Sequence, residues 1–303
     1  MSTEKTPELT IEEKRNYTEI KETADIKITG PKTLMLNGYY MLSKGLFAVL
    51  RHNILEGENS MIVGATGLGK TELIENIAKV LNKKVTIFDM GTMTDPIMGL
   101  VGTHTITVED GVTKSSFTRS RFSEVIQEPG IVLLDELSRA GVMANNLLFP
   151  VLDYRRELSM EYAFDDTTPV KVHPECVFIA TANIGSQYTG THKMDRALVD
   201  RFMTIEVDPL EKSEVMIMMK QLFPKISEEK LKKMVDVYES INKDHEEFKI
   251  SFNMSLRHLK QIAKLVQNGI TIYDSFVVVC KGLGSKEGLE AVKHLLDTAK
   301  SLK

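Results

Sequence analysis

Between about Leu34 and Val207 the chain alternates short apolar runs with stretches of helical period. Ser60–Val63, Lys84–Phe88, Ile131–Leu134 and Val177–Ala180 are continuous apolar or β-branched runs bounded by Gly, Pro or polar residues. Runs without polar alternation are what strands buried on both faces require, so they predict a parallel sheet covered by helices on both sides, an α/β core. Past Asp208-Pro209, which marks a turn, the period is helical throughout. Ser227 is placed to cap a helix with Leu231, Met234, Val235, Tyr238 and Ile241 on one face. Ser255 precedes a second, with Leu256, Leu259, Ile262, Ala263 and Val266 inward, stopped by Asn268-Gly269. Ser285 precedes a third, with Leu289, Val292, Leu295, Leu296, Ala299 and Leu302 inward. Residues 1–30 are polar and without sustained period, and read as an arm with a short helix around Ile11–Ile20. The division expected is an arm over 1–30, an α/β core over 31–208 and a smaller all-α lid over 209–303.

Composition narrows the class. Hydrophobic residues are 42% and charged residues 26% of 303, an ordinary globular balance. Lys plus Arg is 38 against 42 for Asp plus Glu, a formal charge of −4, which weighs against a protein that binds duplex DNA through bulk charge. No apolar run approaches the roughly 18 residues of a membrane span, and Met1–Lys5 lacks the pattern of a secretory signal. Cys176 and Cys280 border apolar runs and read as buried, reduced thiols. A cytoplasmic protein without a membrane partner is expected.

Gly64-Ala65-Thr66-Gly67-Leu68-Gly69-Lys70-Thr71 fits G-x-x-x-x-G-K-[ST] between a strand and a helix carrying Leu73, Ile74, Ile77, Ala78 and Leu81 on one face. Glycines let the backbone turn so that its N–H groups face phosphate oxygens. Lys70 then reaches the β- and γ-phosphates, the Thr71 hydroxyl binds Mg²⁺, and Glu72 closes the nucleotide-contacting stretch at a helix N-terminus suited to anions. The run Ile131–Leu134 ends in Asp135-Glu136, about 65 residues downstream. Alone, such a pair marks a solvated turn. Beside a phosphate loop, Asp135 is placed to hold Mg²⁺ and Glu136 to polarise an attacking water. Asn183 ends another apolar strand, where its amide can orient that water or touch the γ-phosphate.

These elements, in this order, resemble the AAA+ ATPases, and within them the MoxR and CobS type, the branch that also holds the McrB-like and dynein-like motors. The resemblance covers the chain from about Leu34 to its last helices. By it, Gly64–Thr71 is Walker A, Leu134-Asp135-Glu136 is Walker B and Asn183 is sensor 1. Asp200-Arg201-Phe202 makes Arg201 the arginine finger, and Ser255-Leu256-Arg257 makes Arg257 the sensor 2 residue. It also places two hairpins, one over Gly102–Arg121 after Asp95-Pro96 and one over Leu158–Val172, either facing a pore or substrate or lying as plain surface hairpins. Pro150 departs from the pattern and should kink or end the helix after Walker B. Arg139, Arg155, Arg156 and Arg196 receive no role.

The resemblance implies ATP and Mg²⁺ as cofactors, ATP hydrolysis, and a homo-oligomeric ring, a hexamer. Its partner would be a protein substrate or a von Willebrand A domain protein, in a chaperone or maturation role. The alternative is a nucleic-acid-associated motor NTPase of the McrB-like type. The first hairpin sets Lys114, Arg119 and Arg121 against Glu109 and Asp110, which favours neither.

Overall fold

The computed structural model describes residues 20–30, 32–109, 112–163, 167–183 and 194–283. By its contacts the chain separates into two units. Among the described residues, one comprises those up to Ile26, Ser43–Ala65 and Lys70–Val207; the other comprises Lys27–Leu42, Thr66–Gly69 and those from Asp208 onward.

The first unit is built on a five-stranded sheet of β4 (Ser60–Val63), β5 (Val85–Asp89), β8 (Gly130–Asp135), β11 (Cys176–Ala182) and β12 (Met203–Glu206). The strands run in the order β12-β4-β11-β8-β5, and every pairing is parallel. Successive residues of β11 are all buried, which only cover on both faces achieves. One face carries Met61, Val63, Val132, Leu134, Phe178, Ala180 and Ala182 into a core shared with Phe122, Leu148 and Val151. The other turns Ile62, Ile131, Leu133, Val177 and Ile179 inward, all buried. Four of the strands coincide with the apolar runs of the sequence. The fifth, β12, is mostly exposed, and its mixed Met-Thr-Ile-Glu composition hides it from a reading based on apolar runs.

Helix α1 (Lys44–Glu56) is capped by Ser43 and ends at Gly57, whose positive φ of 80° closes the last turn. Helix α2 (Lys70–Val80) follows the phosphate loop and buries Leu73, Ile74, Ile77 and Ala78, with Leu81 just beyond its end. After Asp95-Pro96 comes a five-residue π-helix, Ile97–Val101, and then the antiparallel pair β6 (Gly102–Glu109) and β7 (Val112–Arg119). Ile106 and Val108 stand on this hairpin 70% and 69% exposed, so the core does not use them. A short helix α3 (Arg121–Val125) follows under a Ser120 cap. Helix α4 (Val142–Leu152) keeps Pro150 within it but ends two residues later. The second hairpin shrinks to β9 (Glu157–Leu158) paired with β10 (Val170–Lys171). Asp195 caps the one-turn helix α5 (Arg196–Val199).

In the second unit, helices α6 (Lys212–Leu222), α7 (Glu228–Glu246), α8 (Leu256–Gln267) and α9 (Ile272–Leu283) share one core. Ser227 and Ser255 cap α7 and α8, and the inward faces of the two helices are those the periodicity predicts. Met35 and Met41 join the same core from β2 (Thr33–Leu36) and β3 (Tyr40–Ser43). These two strands and β1 (Ile26–Ile28) form a three-stranded sheet. The helical unit therefore carries β-structure that the sequence places in the arm and the core. The helices expected at Ile11–Ile20 and after Ser285 lie outside the described residues, apart from Ile20 itself.

Candidate functional site

Parallel register assembles the site. Ala182 lies beside Val63, Ala180 beside Leu134 and Asp89 beside Asp135. The ends of β4, β11, β8 and β5 thus fall along the carboxyl edge of the sheet, where open α/β folds bind ligands. Four chain segments leave that edge: the phosphate loop, Asn183, Glu136 and the turn after Asp89.

Lys70 opens α2 and is buried. Its ammonium donates to the Gly64 and Ala65 carbonyls, each at 3.0 Å, and to Asn183 Oδ1 at 2.6 Å. Three donors meet three acceptors, so the charge is fully solvated by the protein. Burial pushes its pKa below the ordinary lysine value, while the Asp135 and Glu136 carboxylates pull it back up. Thr71 Oγ1 donates to the Asp135 carboxylate at 3.0 and 3.1 Å, and Thr181 Oγ1 donates to Asp135 Oδ1 at 2.5 Å.

The Thr71 and Asp135 oxygens fit Mg²⁺. Adjacent ligands of an octahedral ion with 2.0–2.1 Å bonds are about 3 Å apart, and that is the separation found here. No cluster of three or more His, Cys, Asp or Glu able to hold a metal occurs among the described residues. An ion at Thr71 and Asp135 would complete its shell with phosphate and water oxygens.

Glu136 adopts a left-handed backbone conformation, φ 56° and ψ 39°. Its N–H donates to Thr181 Oγ1 at 2.9 Å, and its Oε2 accepts from Arg139 Nη1 at 2.6 Å. Asp89 Oδ1 accepts the Gly91 and Thr92 N–H groups at 2.9 and 3.2 Å. Asp89, Thr181 and Arg139 therefore belong to this cluster, although the sequence reading gives none of them a role. Two signals point to them: Arg139 follows Glu136 by one 3₁₀ turn, and the register that sets Ala180 beside Leu134 sets Thr181 beside Asp135.

The loop tip, Thr66–Gly69, groups with the second unit. Gly67 and Gly69 have φ of 84° and 77°. The Tyr40 hydroxyl donates to the Gly69 carbonyl at 3.1 Å. A Cβ added to Gly67 would come within 2.4 Å of Ser255 Cβ. Ser255 and His258 cap α8 reciprocally: the Ser255 hydroxyl accepts the His258 N–H, and His258 Nδ1 accepts the Ser255 N–H at 3.1 Å. Arg257 lies between them, exposed.

Arg201 is held within its own unit. Its guanidinium stacks on the Phe149 ring at 4.7 Å, approaches Asp153 at 3.6 Å and donates to the Ala197 carbonyl. Asp153 also pairs with Arg155 at 2.7 Å, and these bonds hold its carboxyl below the usual range. The tract after Asn183, through residue 193, lies outside the described residues.

Residues 59–202 match the family described as AAA domain, dynein-related subfamily. Over this segment the chain resembles an AAA domain. The matched stretch takes in the phosphate loop, the acidic pair, Asn183 and Arg201, and ATP hydrolysis is a common property of that family. The chain also resembles curated proteins. One, named "Putative chaperone BssE", from Thauera aromatica, is 33% identical over 152 residues, half of each chain. An uncharacterized protein of Staphylococcus epidermidis strain RP62A is 34% identical over 155 residues, 51% of this chain and 57% of that one. The uncharacterized protein YojN of Bacillus subtilis is 28% identical over 188 residues, 62% of this chain and 59% of its own. The alignments thus cover half to three-fifths of the length of these relatives. No described helix is long and apolar enough to cross a membrane.

Proposed function

We propose that the chain hydrolyses ATP with Mg²⁺ and uses the cycle to remodel a protein partner, as a ring-forming AAA+ ATPase of the MoxR and CobS type. The observation that carries this reading is the convergence of Lys70, Asn183, Thr71, Asp135 and Glu136 on one sheet edge, with a buried ammonium at its centre.

Phosphoryl transfer asks the protein for position and countercharge more than for covalent chemistry. On nucleotide binding the Lys70 ammonium exchanges loop carbonyls for β- and γ-phosphate oxygens. The N–H groups of Gly64–Thr71 and the start of α2, including Glu72, surround the same phosphates. Thr71 and Asp135 would hold Mg²⁺, which would neutralise charge on the phosphate oxygens. Glu136 accepts the proton of the attacking water, and the Asn183 amide orients that water. Arg257 bonds the γ-phosphate and so distinguishes ATP from ADP. Arg201 supplies countercharge to a neighbouring subunit's nucleotide, which makes the active form a ring, a hexamer. The printed name of the Thauera relative supports a chaperone role, and a von Willebrand A domain protein or another protein substrate is the partner expected.

Glu136→Gln tests the reading. The amide should leave ATP binding intact and slow phosphate release by about 10²- to 10⁴-fold. Turnover within about threefold of wild type would remove Glu136 from the catalytic role.

A further inference from the structure

We propose that Arg139 is a positioning residue for Glu136, aiming its carboxylate at the hydrolytic water and acting only through it. The inference rests on the hydrolysis reading above.

Glu136 is constrained at both backbone and side chain. Its left-handed conformation is strained for a residue with a Cβ, and such strain persists where surrounding bonds over-determine it. Here the Thr181 hydroxyl takes its N–H, and its carbonyl accepts the Arg139 N–H at 2.9 Å. The side chain is then tied to the same arginine through Oε2 at 2.6 Å. Arg139 thus fixes both ends of the residue within one 3₁₀ turn.

The pair also has a fitted floor. A Cβ added to Gly91 would come 2.9 Å from Glu136 Oε2 and 3.3 Å from both Arg139 Cδ and Asp89 Oδ1. Gly91 is held there because its N–H binds Asp89, which the sheet register sets beside Asp135. The turn after β5 therefore bounds the ion pair on one side.

Stability does not explain this arrangement. The two side chains are 40% and 33% exposed, and exposed ion pairs contribute little to folding. Geometry does explain it. Glutamate has three rotatable bonds, and a group that takes a proton must be held within about 0.5 Å of its working place. The Arg139 bond engages Oε2 alone, and no hydrogen bond from a described residue reaches Oε1. Oε1 is the oxygen left to receive a water.

The experiment compares steady-state ATP hydrolysis by wild type, Arg139→Ala, Arg139→Lys, Glu136→Gln and the double variant Glu136→Gln/Arg139→Ala. Displacing a catalytic group by about 1 Å can cost on the order of 10²-fold. Arg139→Ala should lower kcat by about 10- to 100-fold with KM for ATP nearly unchanged, and Arg139→Lys should recover part of the loss. In the Glu136→Gln background the Arg139 change should have no further effect. Thermal midpoints accompany each variant, and Arg139→Gln takes the place of the alanine if that variant does not fold. Unchanged turnover in Arg139→Ala would overturn the proposal. A rise would overturn it too, because the pair would then restrain Glu136 instead of aiming it. An equal loss in the Glu136→Gln background would show a merely structural role. A wild-type chain that binds ATP without hydrolysing it would overturn the hydrolysis reading, and this inference with it.

Discussion

Lys70 Nζ lies 2.6 Å from Asn183 Oδ1, so one buried bond joins the first residue of α2 to the end of β11. The lysine is thus aligned by a residue that follows another strand. Lys70→Ala should abolish ATP binding. Each lost bond to a charged group is worth about 1.5–3 kcal/mol, which over two phosphates is a loss of affinity beyond roughly a hundredfold. Binding of a fluorescent ATP analogue at wild-type affinity would reject the assignment.

The same lysine gives a pH signature. Its pKa is below the ordinary value of 10.5 because of burial. Between the lowered value and 10.5 the unfolded chain holds the extra proton, so this group's contribution to stability rises with pH. ATP affinity moves the other way, falling as the ammonium discharges. Denaturant titrations of nucleotide-free protein across that window should show the gain for wild type and lose it in Lys70→Met.

Gly67→Ala should damage the loop twice over. A residue with a Cβ costs about 1–2 kcal/mol in the left-handed region, and here the new methyl would also meet Ser255 Cβ at 2.4 Å. A lower thermal midpoint together with at least tenfold weaker ATP binding is expected. An unchanged midpoint would mean that the loop tip does not rest on Ser255.

Arg201→Ala should spare ATP binding and remove hydrolysis, since an arginine finger is worth roughly 10³ to 10⁵ in rate. Mixing it with Lys70→Ala should restore part of the activity, because an intact loop would then meet an intact arginine from another subunit. Within its own unit Arg201 already touches Phe149 and Asp153. Failure of rescue in well-mixed assemblies would assign it to those contacts alone.

How much of this the sequence disclosed depended on how fully each segment is buried. β4, β8 and β11 are continuous apolar runs because both of their faces are covered, so they stand out without neighbours to explain them. β12 pairs on one side only and exposes most of its residues, so its composition tells little. α9 contains Val277-Val278-Val279, β-branched residues that disfavour a helix, and packing of Phe276 and Cys280 overrides them. The cluster of Lys70, Thr71, Asp135 and Asn183 was legible because its residues close a Gly-rich loop or end apolar strands. The Arg139–Glu136 bond was not, because a charge three residues away in sequence shows no direction until the turn that aims it is formed.

The position of β4 bears on how the chain is made. Its hydrogen-bonding neighbours are β11 and β12, which emerge from a ribosome only after the first hairpin, both acidic residues and α4 have been synthesised. Closing so long a loop precedes any gain from pairing, which slows folding. A nascent chain halted before Cys176 would have made β5 and β8 but neither strand that pairs with β4, the strand that launches the phosphate loop.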